Sequence, residues 1–235
     1  MGASSRLMKE QNLRMGGDIL QSGERSTLDK AKVREICRIL RKVANKDRLA
    51  DVGCFDGTLS MEFFKCGFST IDGFDVLDSA LERARKRGVN AFKWNFEEEP
   101  SPAESESYDA IICSDTMEHV FNNQNLVSEC RRIMKPSGLA VFVVPNLASL
   151  YNRLLVLAGK MPLGSPGVSV SQKTENRVNL GHARLGTLKE WAGFLTVCGF
   201  EIEDVIGLWS TRFSKAITFT RPSLAHSLVY GCRKV

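Results

Sequence analysis

Between residues 49 and 144 the chain repeats one pattern: a short apolar run, a turn, then an amphipathic stretch. The apolar runs fall at 49–52, 70–76, 91–95, 110–114 and 139–144, with helical periodicity at 58–65, 79–87 and 125–134. Strands joined through helices line up as a parallel sheet with helices on both faces, so the fold class is α/β. In the stretch near 125–134 the buried stripe is Leu126, Cys130, Ile133 and Met134. Lys135-Pro136-Ser137-Gly138 stops that helix before the next strand.

After Pro145 the pattern breaks. Residues 146–186 include Pro162, Gly164, Pro166 and Gly167 and open on a leucine-rich segment at 147–158. A connection this long inside a compact domain is usually a functional lid or a disordered insert. A helix is predicted at 188–197, followed by β-like runs at 200–208 and 215–220 whose short gap allows antiparallel pairing. Upstream, residues 30–43 place Val33, Ile36, Ile39 and Leu40 at helical spacing beneath a basic outer face. The expected organisation is an N-terminal helical extension or lid (1–48), one domain (49–221) carrying the 146–186 insert, and a C-terminal tail (222–235).

At 235 residues and 26.1 kDa the chain can bury a full core without a disulfide or metal staple. Its seven cysteines are scattered and include no C-x-x-C pair, so reduced thiols and a cytoplasmic setting are expected. No apolar run approaches the roughly 20 residues of a membrane span. Met1-Gly2 opens like a myristoylation signal, but Arg6 stands where Ser or Thr is needed. The net charge of +5 is concentrated at the ends: residues 1–48 hold twelve basic and six acidic side chains, and residues 207–235 hold Arg212, Lys215, Arg221, Arg233 and Lys234 with no acid. Glu97-Glu98-Glu99 reads as a solvated loop.

The first strand ends in Asp51-Val52-Gly53-Cys54-Phe55-Asp56-Gly57-Thr58, a turn that leads directly into a helix. Small residues at this place let a ligand approach the backbone at the carboxyl ends of the strands. The spacing lacks the G-x-G-x-x-G of dinucleotide binders and the G-x-x-x-x-G-K-[ST] of a P-loop, which disfavours hydride transfer and excludes a P-loop. Asp75 closes the second strand where an acid can accept hydrogen bonds from ribose hydroxyls.

Three further runs join this turn in order: Tyr108-Asp109-Ala110-Ile111-Ile112-Cys113-Ser114-Asp115, Met117-Glu118-His119-Val120, and Lys135-Pro136-Ser137-Gly138-Leu139. With them, roughly residues 49–220 resemble the class I S-adenosylmethionine-dependent methyltransferases, in particular the small-domain, methyltransferase type 11-like members whose turn reads D-x-G-x-G-x-G. The resemblance implies a Rossmann-like, doubly wound, seven-stranded sheet, mostly parallel with a C-terminal antiparallel hairpin, and S-adenosylmethionine as cofactor. It places Asp51, Gly53, Cys54 and Gly57 at the methionine end, Asp75 on the ribose, Val76, Asn95 and Phe96 around the adenine, and Ser114 near the methionine amino group. Phe55 replaces the family's middle glycine.

Methyl transfer is an in-line displacement at an activated carbon; positioning supplies much of the acceleration, and a base is needed only where the acceptor must lose a proton. His182 and His119 are the candidate catalytic histidines, each with a structural alternative: His182 as a fastener of the lid, His119 as framework. Asp115 and Arg184 are candidate substrate contacts, and His226 reads as a surface residue. No metal is expected, because no cluster of acidic ligands follows the fourth strand in sequence. Cys113 sits in an apolar run and reads as core.

The leading reading is a methyltransferase with a small-molecule acceptor. RNA is the alternative acceptor, suggested by the basic ends, although no appended RNA-binding module or interleaved aromatics accompany them. A non-catalytic interaction protein is the third reading, suggested by Phe55.

Overall fold

The computed structural model describes residues 27–165, 182–209 and 221–235. The strand expected at 215–220, Arg212 and Lys215, the 1–6 segment and the middle of the insert lie outside the described residues.

Helix α1 (Thr27–Leu40) leads into β1 (Arg48–Val52), α2 (Ser60–Phe64), β2 (Thr70–Asp75), α3 (Asp78–Lys86) and β3 (Asn90–Lys93). Then come β4 (Tyr108–Ser114), α4 (Asn123–Ile133), β5 (Met134–Pro145), α5 (Leu150–Leu157), α6 (Leu188–Val197), β6 (Phe200–Leu208) and β7 (Ser227–Lys234). The strands form one sheet in the order β3-β2-β1-β4-β5-β7-β6. β1 to β5 run parallel and β7 lies antiparallel between β5 and β6.

Both faces of the sheet are covered. Ile36, Ile39 and Leu40 of α1, Phe63 of α2 and Leu81 and Ala84 of α3 pack on one face, against Leu49, Ile71, Ile112, Val141 and Val229. Leu126, Val127, Cys130 and Ile133 of α4 and Trp191 and Leu195 of α6 pack on the other, against Val52, Ile111, Cys113, Phe142 and Tyr230. The central strands are apolar on both sides because neither side meets water. Asn122 starts α4 by accepting from the Asn125 amide, and Thr187 and Glu190 form a reciprocal capping box at α6.

Three sequence expectations are corrected. Residues 27–40 do not lie outside the domain expected to begin at residue 49: α1 buries its apolar stripe on the sheet and contributes to the core. Residues 222–235 are not a tail, since Ser227–Lys234 is the strand that pairs with both β5 and β6. Its charged end, Arg233-Lys234, disguises an apolar core of Leu228, Val229 and Tyr230. Finally, Cys37 of α1 and Cys66 beyond α2 are joined in a disulfide, with Cα atoms 6.0 Å apart, whereas the other five cysteines are free.

Parallel pairing brings the carboxyl ends of β1, β2, β4 and β5 to one edge of the sheet. Asp51, Asp75, Ser114 and Asn146 meet there, although they are far apart in sequence.

Candidate functional site

At the end of β1 the chain turns under tight local constraint. The Gly53 and Cys54 amides both donate to the Phe74 carbonyl, at 2.8 and 3.1 Å. Gly53, Phe55 and Gly57 have φ of 84°, 49° and 75°, so three residues of this turn are left-handed. Thr116, arriving from β4, donates its hydroxyl to the Val52 carbonyl at 3.2 Å and fills the space a Cβ on Gly53 would need. The Phe55 amide donates to Asp75 Oδ2 at 2.9 Å, while its ring turns to α3, where the Arg83 guanidinium lies 5.6 Å from the ring centroid. The Phe55 backbone thus keeps the left-handed course of the turn, with its ring directed to the helix.

Two buried carboxyls stand at adjacent strand ends. Asp51 accepts from the Ser60 hydroxyl at 2.5 Å, and burial pushes it up to about 6 against that hydrogen bond. Asp75 accepts from the Phe55 and Leu77 amides; burial also raises it, with those amides opposing. No described lysine or arginine pairs with either carboxyl. Val76, next along, is half-buried. Cys54 is buried, its thiol packed against the backbone of Gly73.

The candidate adenine contacts divide. Asn95 accepts from the Glu97 amide at 3.2 Å and so closes its own turn. Phe96 is only 2% exposed, and its ring stands edge-on to Trp94 at 4.8 Å in the core. Glu97 is not a solvated loop residue, because it is buried and accepts the Phe121 and Asn122 amides at 2.7 and 2.8 Å. It thereby ties the loop after β3 to the segment before α4.

Beyond β4 lies a second group of polar residues. Asp115 has φ of 52°, left-handed for a residue with a Cβ, and such strain clusters at functional positions. Its carboxylate is paired with Lys32 of α1 and accepts from the Ser114 hydroxyl at 3.0 Å. Glu118 and His119 follow on a short 3-10 turn, Met117–His119, and both are buried. The His119 ring stands edge-on to that of His182, with centroids 5.0 Å apart.

His182 returns from the insert. Its amide donates to the Gly164 carbonyl at 2.8 Å, and its ring occupies the space beside Gly164 that a side chain would take. The Arg184 amide donates to the Glu118 carbonyl at 2.9 Å and its guanidinium to the Phe121 carbonyl at 2.8 Å. Arg184 thus clamps the insert onto the turn after β4. Burial moves His119 down to about 4, with His182 adding to the effect, and burial also lowers His182. Burial, reinforced by Asp115, pushes the Glu118 carboxyl well above the usual range.

One sequence reading changes here. His226 is not a surface residue: it is half-buried, and its titration feels Asp115 and Lys32. Beside the reading that no cluster of acidic ligands follows the fourth strand, the fold adds a mixed group: Glu118, His119 and His182 place donor atoms within 4.8 Å of one another. Sequence spacing shows only Glu118 and His119; the third donor arrives through the fold.

A surface cleft of about 460 Å³ lies between Phe121, Arg184, Trp191 and Phe194 and includes no residue of the glycine turn. Arg233 is paired with Glu203 and Lys234 with Glu106, so two of the basic C-terminal residues are already engaged.

A family model described as a methyltransferase domain matches residues 25–205. The ubiquinone biosynthesis O-methyltransferase of Neisseria meningitidis is 31% identical over 105 residues, 42% of this chain and 44% of that protein. The chain thus spans under half the length of the first curated relatives it matches. A protein of the same name from Burkholderia thailandensis is 25% identical over 192 residues, covering 80% of this chain and 78% of the relative. A solved S-adenosylmethionine dependent methyltransferase from Mesorhizobium loti superposes with a TM-score of 0.61 at 19% identity, covering 88% of this chain and 100% of that one. At that identity the likeness shows the fold.

Proposed function

Since this chain belongs to the class I S-adenosylmethionine-dependent methyltransferases, we propose that its acceptor is a small molecule and that the methyl group goes to a hydroxyl oxygen. The observation that carries this reading is the buried group of Glu118, His119 and His182 beside Ser114 and Asp115. A hydroxyl must lose its proton as the new bond forms, and a buried group of imidazole and carboxyl side chains suits that task. The O-methyltransferase names of the relatives agree with this choice of atom.

The cofactor fits the residues present. It brings an activated methyl on a sulfonium, an ammonium and two ribose hydroxyls, while the chain offers two buried carboxyls at adjacent strand ends. In this reading Asp51 faces the methionine ammonium, and the backbone of Gly53, Cys54 and Gly57 gives the close approach. Asp75 takes the ribose hydroxyls, Val76 lies against the adenine, and Ser114 adds a polar contact near the ammonium. Asn95 reaches the adenine edge only by leaving its own turn. Lys32 of α1 holds Asp115, and Arg184 holds the insert, so two covering elements orient the acceptor and exclude water. No described helix is long and apolar enough to cross a membrane.

Calorimetric titration with S-adenosylmethionine and S-adenosylhomocysteine, followed by methyl transfer to a panel of phenols, catechols and matched amines, tests the proposal. Binding together with methylation of hydroxyl compounds supports it. No binding at millimolar cofactor, or turnover of the amines alone, removes it. The RNA reading is separated by salt: transfer to bulk tRNA that falls steeply with ionic strength restores it.

A further inference from the structure

The Glu118, His119 and His182 group has a property the transferase reading does not use. Glu118 is 2% exposed and His119 is 9% exposed, yet Glu118 Oε2, His119 Nδ1 and His182 Nδ1 have no hydrogen-bond partner among the described residues. One unsatisfied buried polar atom costs about 1–3 kcal/mol, so three at one place call for a physical reason. The three side chains offer one oxygen and two ring nitrogens within 4.8 Å of one another.

We propose that Glu118, His119 and His182 form a divalent-metal site that takes a borderline transition ion of the zinc, manganese, cobalt or iron class. Two imidazoles and one carboxylate suit such ions, whereas magnesium and calcium prefer an all-oxygen set. Donors about 2.1 Å from a shared ion stand roughly 3–4 Å apart, so closure by about an ångström completes the set. Three protein ligands leave open positions, as in catalytic metal sites.

The fold prepares the site from three directions. Glu118 and His119 share one short turn after β4. His182 is delivered by the insert, anchored by its amide on the Gly164 carbonyl and by the adjacent Arg184 clamp. Gly164 has φ of 79°, and a Cβ there would fall 2.5 Å from His182 Nδ1, so glycine is required for the ring to sit where it does. Lys32 of α1 is paired with Asp115 at the edge of the group.

The role of the ion rests on the transferase reading above. An acceptor hydroxyl that binds an open position becomes more acidic and passes its proton to water. The oxygen lone pair then forms the new C–O bond as the carbon–sulfur bond breaks, its electron pair staying on sulfur. A methyl ether, a thioether and one proton result.

The test uses the full chain, stripped with chelator and titrated with Co2+ followed by visible absorption, and with Zn2+, Mn2+ and Mg2+ followed by calorimetry. One equivalent of Co2+ giving d–d bands, with Zn2+ or Mn2+ bound more tightly than Mg2+, is expected. Glu118→Gln and His182→Ala should each weaken binding by about 100-fold or more, with S-adenosylmethionine affinity retained. His119→Asn provides a third variant should Glu118→Gln unfold, and thermal melting identifies that case. No stoichiometric uptake at millimolar metal, or equal uptake by wild type and the folded variants, overturns the site. Cofactor binding without metal uptake rejects the site and spares the transferase reading; metal uptake without cofactor binding does the reverse.

Discussion

Thr116 stands where a Cβ on Gly53 would be, and its hydroxyl donates to the Val52 carbonyl at 3.2 Å. The end of β4 thereby fixes the backbone turn at the end of β1. Gly53→Ala must displace Thr116 and also hold a left-handed φ of 84°. Strain and overpacking together should cost about 2–4 kcal/mol. Urea unfolding and cofactor calorimetry check this, with both stability and affinity expected to fall; a variant as stable as wild type contradicts the constraint.

Asp51 makes stability and cofactor affinity depend on pH. Its folded pKa of about 6 lies above the unfolded value of 3.8, so the native state holds a proton that the unfolded chain releases first. The stability this group contributes is present below about pH 4 and lost as the pH rises to 6, for a total of about 3 kcal/mol. Asp51→Asn should therefore gain stability relative to wild type over that window. Wild-type affinity for S-adenosylmethionine should rise with pH up to about 6 and then level off, because the ammonium pairs with the ionised carboxylate. A flat affinity profile in wild type disproves the assignment of Asp51 to the ammonium.

The Phe55 ring lies against Arg83, with the residue at φ of 49°. Phe55→Gly removes a left-handed strain of about 1 kcal/mol and a cation–π contact of similar size. Stability should change by less than about 1 kcal/mol, and cofactor affinity should stay within about threefold. Affinity that improves tenfold shows instead that the ring obstructs the site, as the non-catalytic reading requires.

Gly164→Ala tests whether His182 acts from its observed position. The added methyl would push the ring away, so turnover should drop at least about tenfold while cofactor affinity is unchanged. Unchanged turnover with the putting of alanine at this position shows that His182 only fastens the insert.

Asp72 supplies a control away from the reacting groups. It is buried and accepts from Arg48 at 2.6 Å, Tyr108 at 2.8 Å and Asn90 at 3.0 Å. Asp72→Ala leaves these donors unpaired and should cost about 3 kcal/mol in chemical denaturation, with cofactor affinity within about twofold of wild type. A selective loss of affinity instead couples this cluster to the site.

The parallel α/β order and the glycine turn are legible in the sequence because both depend on local patterns. Apolar runs must be buried on both faces, and a turn at a strand end needs residues that accept left-handed φ. Asp51, Gly53 and Asp75 follow from that pattern. Phe96 and Glu97 do not, since an aromatic or an acid in a loop can face either way until its neighbours are known. The strand at Ser227–Lys234 is hidden by its charged end, and the place of α1 in the core depends on a sheet face that local periodicity cannot identify.

What the sequence by itself determined is thus the class of fold and the glycine turn at the end of β1. Only the tertiary structure decided that Lys32 meets Asp115, that Arg184 clamps the Glu118 turn, and that His182 stands against His119. Those contacts join segments separated by whole elements, and their geometry comes from the packing of helix and insert over the sheet edge rather than from any local preference of the chain.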